Sequence, residues 1–334
     1  MKNLVKRTIN FLVFRLMQEL NESLRRELDY TLKKLLPSEL ESTYPSKKEL
    51  EIIKKECLIN NANNLKQLEG IFADKKSYKI LENFLFMRCF TNPLIRYELA
   101  QEIAEKTEVN MWVEAFRIFG YPVYRQVDKY QYYPKDIINL GDHEVFLDGG
   151  AWVGDTILQF NEMTSGKFDG VFAFEASPTN YKECLNTIAR IDDQEKIQAF
   201  NCGLGQEGKK LYFPKDTLSG DPVFEPQGPL ENYDMINISD IRSILTEEQL
   251  NSITFIKLDI EGSELEALKN MNELIANKLP KLAICVYHHE QDIFEIPLYI
   301  NSLTNQYNMF LRHHENGIYE TVLYCVRKDE IAAK

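Results

Sequence analysis

Apolar residues recur along the first part of the chain at the spacing of a helical face. Val5, Ile9, Leu12, Leu16 and Leu20 fall three or four residues apart, with Lys, Arg, Glu and Gln between them, which predicts an amphipathic helix. A second helical stretch runs through Leu24, Leu28, Leu32 and Leu35 and stops at Pro37, because proline cannot continue the backbone ladder. A third is predicted over Ile80–Phe90, with Ser77 as its N-cap and Thr91-Asn92-Pro93 as its close. A fourth begins near Leu94 and ends near Lys106. Glycine is scarce throughout. The pattern predicts a helical domain over residues 1–125, which would supply substrate or partner contacts.

From about Tyr130 the period changes. Short apolar runs end on polar residues and are followed by helical stretches. Val145–Leu147 ends at Asp148, Val171–Phe174 at Glu175, Thr254–Leu258 at Asp259 and Leu282–Tyr287 at His288, with Ile197–Phe200 between the second and third of these. Helices are predicted to open at Pro178, near Ser263 and over Asp292–Leu303. Strands alternating with helices mean a parallel sheet whose right-handed crossovers cover both faces. The end departs from this rule. Met309–Arg312 and Tyr319–Val326 flank Asn316-Gly317, a strong turn signal, so the α/β sheet should close on an antiparallel hairpin. A Gly/Pro-rich insert, Pro214–Pro229, separates the third and fourth strands. Loops of that length in a compact domain are functional or disordered.

Composition narrows the function. The 334 residues are 44% hydrophobic and 27% charged, with a net charge of −12, the profile of a folded globular protein. No Lys/Arg-rich stripe is present to displace counterions, so nucleic acid is not an expected partner. No apolar run is long enough to span a bilayer. The six cysteines, Cys57, Cys89, Cys184, Cys202, Cys285 and Cys325, include no C-x-x-C pair and read as reduced thiols. Lys2, Lys6 and Arg7 precede Phe11–Phe14, but Arg15 ends that run and no cleavage site follows. A cytoplasmic location is therefore expected.

The chemistry concentrates in Asp148-Gly149-Gly150-Ala151-Trp152-Val153-Gly154-Asp155-Thr156, which follows a strand and opens a helix. Glycine lets the backbone turn sharply and a ligand approach closely. Glu175 closes the next strand, where a carboxylate can accept both hydroxyls of a ribose. The spacing is neither G-x-G-x-x-G nor G-x-x-x-x-G-K-[ST]. An acid directly before the glycines disfavours a pyrophosphate and suits a ligand with an ammonium group. S-adenosylmethionine carries an ammonium, a ribose and an adenine. The plainer alternative is that Asp148 caps a tight turn and the glycines merely permit it.

Residues Asn139–Val326 resemble the FkbM-type methyltransferases, a branch of the S-adenosylmethionine-dependent class with a Rossmann-like sheet. The resemblance rests on Glu144–Ala151 with Gly154-Asp155-Thr156, on Phe172-Ala173-Phe174-Glu175, on Ile256–Glu264 and on Tyr287-His288, followed by Asp292–Tyr299 with its Glu295-Ile296-Pro297 core. One departure is the proline after the second-strand acid, displaced here to Pro178. The resemblance implies a methyltransferase domain over 126–334 and methyl transfer to a hydroxyl of a sugar, glycan or other small molecule. It places Asp148, Gly149, Gly150, Gly154 and Glu175 at the cofactor. Cys202, in Cys202-Gly203-Leu204-Gly205, follows the third strand, where the class holds adenine; a buried thiol at a turn is the competing reading.

Asp259 and His288 should end neighbouring strands on the ligand side of the sheet. His288 has the intrinsic pKa of a general base near neutrality, with Asp259 to orient it or bind the acceptor. No spacing demands a metal, and none is predicted; Asp259, Glu261 and His288 are the residues that would hold one. Glu261 is equally explained as a helix N-terminal acid. His289, His313 and His314 are expected at the surface. Tyr130, Tyr132 and Tyr133 either close over the cofactor or pack between the two domains. Among rival functions, a dehydrogenase fails on the glycine spacing and the terminal hairpin. An amino-group methyltransferase lacks a [DN]-P-P-[YF] motif after the fourth strand. A non-catalytic protein that binds a partner through its helical half is the remaining alternative, opposed by the retained Asp148, Glu175, Asp259 and His288.

Overall fold

The computed structural model describes residues 45–331, apart from 91–95, 97, 98, 101, 106–108, 116–121, 216–224, 227 and 316, and gives the backbone alone for 109–115 and 122–126. The two helices expected before Pro37, the start of the one expected from Leu94, most of the Pro214–Pro229 insert and Asn316 lie outside the described residues.

The helices and strands in chain order are α1 Lys47–Asn60, α2 Ala62–Gln67, α3 Lys75–Arg88, β1 Val109–Ala115, β2 Pro122–Asp128, β3 Val145–Gly149, α4 Asp155–Met163, β4 Gly170–Phe174, α5 Pro178–Ile188, β5 Ile197–Phe200, β6 Gly203–Leu204, β7 Lys210–Pro214, β8 Tyr233–Ser239, α6 Ile241–Ile244, α7 Glu247–Ser252, β9 Phe255–Leu258, α8 Glu264–Asn270, α9 Asn272–Lys278, β10 Lys281–Cys285, α10 Asp292–Leu303, β11 Tyr307–His313, β12 Thr321–Arg327 and α11 Lys328–Ile331. They gather into two compact units. Of the described residues, one holds those within 45–63, 78–131 and 312–321, and the other those within 64–77, 132–311 and 322–331.

In the larger unit a seven-stranded sheet runs in the order β11-β12-β10-β9-β3-β4-β5. β10, β9, β3, β4 and β5 are parallel neighbours, and β12 pairs antiparallel with β10. This is the expected α/β sheet, mostly parallel with an antiparallel C-terminal end. β3, β4 and β9 are buried at every residue, which is why they read as continuous apolar runs and not as alternating ones. The order reverses at β3, so the carboxyl ends of β3, β4 and β9 flank the switch point where open α/β sheets take their ligands. Tyr133 packs edge-on against Phe146 and Phe255 and at a tilt against Phe160. β11, at the edge, is covered from the N-terminal side: Ala73 N–H donates to Met309 O and Leu311 N–H to Ser77 Oγ.

Three expectations need correction. Ser77 is not the cap of α3. Asp74 is, accepting from Ser77 N–H at 2.8 Å, and Ser77 sits inside the first turn. The helical reading of the first 125 residues misses the antiparallel pair β1–β2, in which Val109, Met111, Val113 and Ala115 recur at every second position. His313 and His314 are not surface residues but fully buried ones. The Nδ1 of His313 meets Thr321 Oγ1 at 2.8 Å, and that of His314 meets Asp128 Oδ2 at 3.1 Å, partners that nothing near them in sequence announces. A small three-stranded sheet, β6-β8-β7, was also not foreseen.

Candidate active site

The turn after β3 is built around a buried ion pair. Asp148 is wholly buried, with Oδ1 3.0 Å from Lys257 Nζ and Oδ2 accepting from the Thr156 hydroxyl. Lys257 also donates to Gly150 O at 2.6 Å, and its ammonium lies over the Tyr132 ring. Burial alone would lower the lysine's pKa, but the charges of Asp148 and Asp259 outweigh it and hold the group protonated. Asp148 therefore presents no free negative charge to a ligand, contrary to the expectation that it attracts an ammonium. It fixes the loop instead. Gly150 has φ +79°, and a Cβ there would stand 1.8 Å from Asp259 O, so only glycine lets the ends of β3 and β9 approach. Gly154, at φ +82°, is the αL residue from which α4 starts without a side-chain cap. Asp155 begins that helix, and burial pushes its carboxyl up to about 6.

Glu175 ends β4 beside this loop. Its two oxygens each accept one backbone N–H, from Ser177 at 2.7 Å and from Trp152 at 2.8 Å. Trp152 is held at φ 46° and is half-exposed, a backbone conformation that bulky residues rarely adopt. Burial, only partly offset by those hydrogen bonds and by Lys257, pushes the Glu175 carboxyl up to about 7. A carboxylate has room for about four donors, so each oxygen keeps an acceptor position. Asn201, rather than Cys202, is the residue after β5 that ties to this corner, donating to Glu175 O at 2.8 Å. Cys202 is half-buried, and burial raises its thiol to about 11.

A second cluster stands at the ends of β9 and β10. Asp259 accepts from the Tyr132 hydroxyl at 2.6 Å through Oδ2 and from the Tyr287 hydroxyl at 3.1 Å through Oδ1. Burial would raise its carboxyl, but Lys257 and His288, with the two tyrosines, hold it below the usual range. The His288 side chain is only 9% exposed and is ringed by carboxylates. Its Nδ1 lies 3.0 Å from Glu264 Oε1, and its Nε2 lies 3.4 Å from both Asp259 Oδ1 and Glu261 Oε2. None of these contacts has hydrogen-bond alignment. Burial opposes a charged ring, yet Glu264, Asp259 and Glu261 prevail and push the imidazole up to about 10. So placed, the ring is held as a cation. A neutral imidazole base, expected from the sequence, is not what this arrangement offers.

The turn that brings the acids there is Asp259-Ile260-Glu261-Gly262. Glu261 has φ 55° and Gly262 φ 92°. Glu264, the first residue of α8 and fully buried, reaches back to accept from Ile260 N–H at 2.8 Å. His289 is exposed, as expected, with Nε2 3.2 Å from Gly262 O. Lys257, Glu264 and Thr156 were missed by sequence reasoning. The signal for Lys257 was available: a lysine inside the apolar run Phe255-Ile256-Lys257-Leu258 needs a buried partner.

Residues 148–316 match the family model described as the methyltransferase FkbM domain. The match covers half of the chain, and the chain belongs to that family. A crystal structure of the methyltransferase FkbM from Methylobacillus flagellatus KT is similar at 26% identity and a TM-score of 0.61, covering 80% of this chain and 59% of that one. The methyltransferase sdnD of Sordaria araneosa is 25% identical over 171 residues, covering 41% of this chain and 64% of that protein. The chain spans less than two thirds of the length of either relative. Among the described residues no helix is long and apolar enough to cross a membrane.

Proposed function

We propose that this chain is an S-adenosylmethionine-dependent methyltransferase acting on a hydroxyl of a sugar, glycan or other small molecule. The observation that carries the reading is Glu175, a buried carboxylate at the end of β4 with one acceptor position left on each oxygen. Two ribose hydroxyls would supply the missing donors and hold it ionised. Asp148, Gly149, Gly150 and Gly154 shape the loop that a nucleoside would lie against, and Cys202 stands at the adenine side of the same reading. S-adenosylmethionine held there would supply a methyl carbon on a sulfonium sulfur, which an acceptor oxygen displaces in line.

Asp259 and His288 serve the acceptor. Asp259 is the more open of the two, with 22% of its side chain exposed, and its carboxylate takes the hydroxyl hydrogen bond and then the proton. His288, pinned among three acids, keeps Asp259 ionised and oriented. Tyr132 and Tyr287 fix the carboxylate from their own sides. The region before residue 126 is assigned to acceptor or partner recognition. Methylobacillus flagellatus FkbM and sdnD, both methyltransferases by name, support the reaction class. Calorimetry with S-adenosylmethionine and with NAD tests the cofactor: S-adenosylmethionine should bind and NAD should not, and the reverse result ends the reading. Transfer of a labelled methyl group to hydroxylated acceptors, with the bond located by mass spectrometry, tests the oxygen assignment.

A further inference from the structure

We propose that Asp259, Glu264 and His288 form a binding site for a divalent cation of the Mn²⁺/Mg²⁺ class. One donor atom from each residue lies within 4.8 Å of the other two. Ligands on opposite sides of such an ion stand roughly 4–5 Å apart, so the three can share one centre.

Two features separate this cluster from an ordinary group of acids. The first is the state of its buried atoms. Neither nitrogen of His288 makes an aligned hydrogen bond, although the side chain is nine-tenths buried. Glu264 is wholly buried, and among the described residues no donor reaches its Oε2. Buried polar atoms are otherwise almost always satisfied. Two adjacent buried residues, in contact through His288 Nδ1 and Glu264 Oε1 and each with an unsatisfied polar atom, indicate a missing common partner. The second feature is charge. Asp259, Glu261 and Glu264 surround one imidazole, and a divalent cation that takes the place of the ring proton would balance two of the three carboxylate charges.

The backbone is arranged to bring these donors together. Glu264 Oε1 accepts from Ile260 N–H, which holds the same oxygen 3.0 Å from His288 Nδ1. Asp259 is held on both oxygens by tyrosine hydroxyls, the kind of outer support that orients metal ligands. Glu261, at φ 55° and with its side chain 58% exposed, stands at the open side. One imidazole with carboxylates suits Mn²⁺, Mg²⁺, Fe²⁺ or Zn²⁺ rather than Cu⁺ or an iron–sulfur cluster. Its use rests on the methyl-transfer reading: an ion there would stabilise the acceptor oxygen as its proton leaves. Its binding does not rest on that reading.

The test is Mn²⁺ titration of the full chain, followed by electron paramagnetic resonance, without cofactor or acceptor. The expected result is one Mn²⁺ bound per chain, displaced by excess Mg²⁺ or Zn²⁺. Glu264→Gln, which keeps the acceptor for Ile260 N–H, and His288→Ala should each weaken binding by about tenfold or more. S-adenosylmethionine calorimetry on the same samples should be unaffected by Glu264→Gln. A wild-type spectrum that stays that of the free ion overturns the proposal, as does equal binding by wild type and both variants. Should either variant fail to fold, the wild-type titration still decides. Mn²⁺ binding without S-adenosylmethionine binding would leave the metal site standing and sink the cofactor reading; the opposite pair of results would do the reverse.

Discussion

The two clusters at the carboxyl ends of the sheet are built from the same residue types on opposite terms. Around Asp148 the charges are balanced: one buried acid meets one buried lysine, and a threonine hydroxyl takes the other oxygen. Around His288 they are not: three carboxylates crowd one imidazole without an aligned hydrogen bond. A compensated buried pair holds a shape and offers little to a ligand. An overcrowded one is costly to keep unless something else completes it. The motif that looks most like chemistry in the sequence, Asp-Gly-Gly, is thus the structural half. The less conspicuous Asp-Ile-Glu-Gly-Ser-Glu is the half whose charges are left uncompensated.

The comparison breaks most visibly at His288. His288→Ala should lower the methyl-transfer rate by about 10²–10⁴-fold, the range for a lost proton-transfer arrangement, while cofactor affinity stays within a factor of two or so by calorimetry. Equal losses in both would mean that the two clusters are not separable. Lys257→Met should act the other way. Removing the ammonium leaves Asp148 buried and unpaired, so chemical denaturation should show a stability loss of about 3–5 kcal/mol. If stability is retained, Asp148 is not held as argued. Glu175→Ala comes next, weakening cofactor binding by about 1–3 kcal/mol through unpaired hydroxyls.

The smallest effect is in pH. The Glu175 carboxyl ionises near 7 in the folded chain, against an ordinary value of 4.5. Between those values the folded state holds a proton that the unfolded state has released. This group's contribution to stability therefore falls as pH rises through that window. Cofactor binding follows the opposite slope, because hydroxyl donors favour the ionised form. Affinity should rise with pH up to about 7, by at most about tenfold per unit, and then level. Glu175→Gln should flatten the profile. A wild-type profile already flat from 5 to 8 would detach Glu175 from the cofactor.

The strands were legible because each buried run ends abruptly on one polar residue: Asp148, Glu175, Asp259 and His288 mark the ends of β3, β4, β9 and β10 to within a few residues. That same regularity placed the two clusters on one side of the sheet. What stayed hidden was whatever depends on a distant partner. Lys257 looks like an interruption of β9 until Asp148 is seen beside it, 109 positions earlier in the chain. His314 looks like a turn residue until Asp128 closes on it. Glu264 reads as an ordinary helix-start acid, since its sequence gives no hint that one oxygen turns back to Ile260 and also lies 3.0 Å from His288 Nδ1. Periodicity reports which face is buried, and it is silent on what two buried side chains say to each other.

The cover over β11 bears on how the chain comes into being. The edge strand finds its partners in Ala73 and Ser77, more than 230 residues earlier, whereas the other sheet neighbours lie much nearer in sequence. During synthesis those early residues must wait for almost the whole chain to emerge. Until they dock, β11 is an open ladder able to recruit a neighbouring copy. Ordering of the segment around Ala73 is therefore a late event in folding and a guard against association between nascent chains.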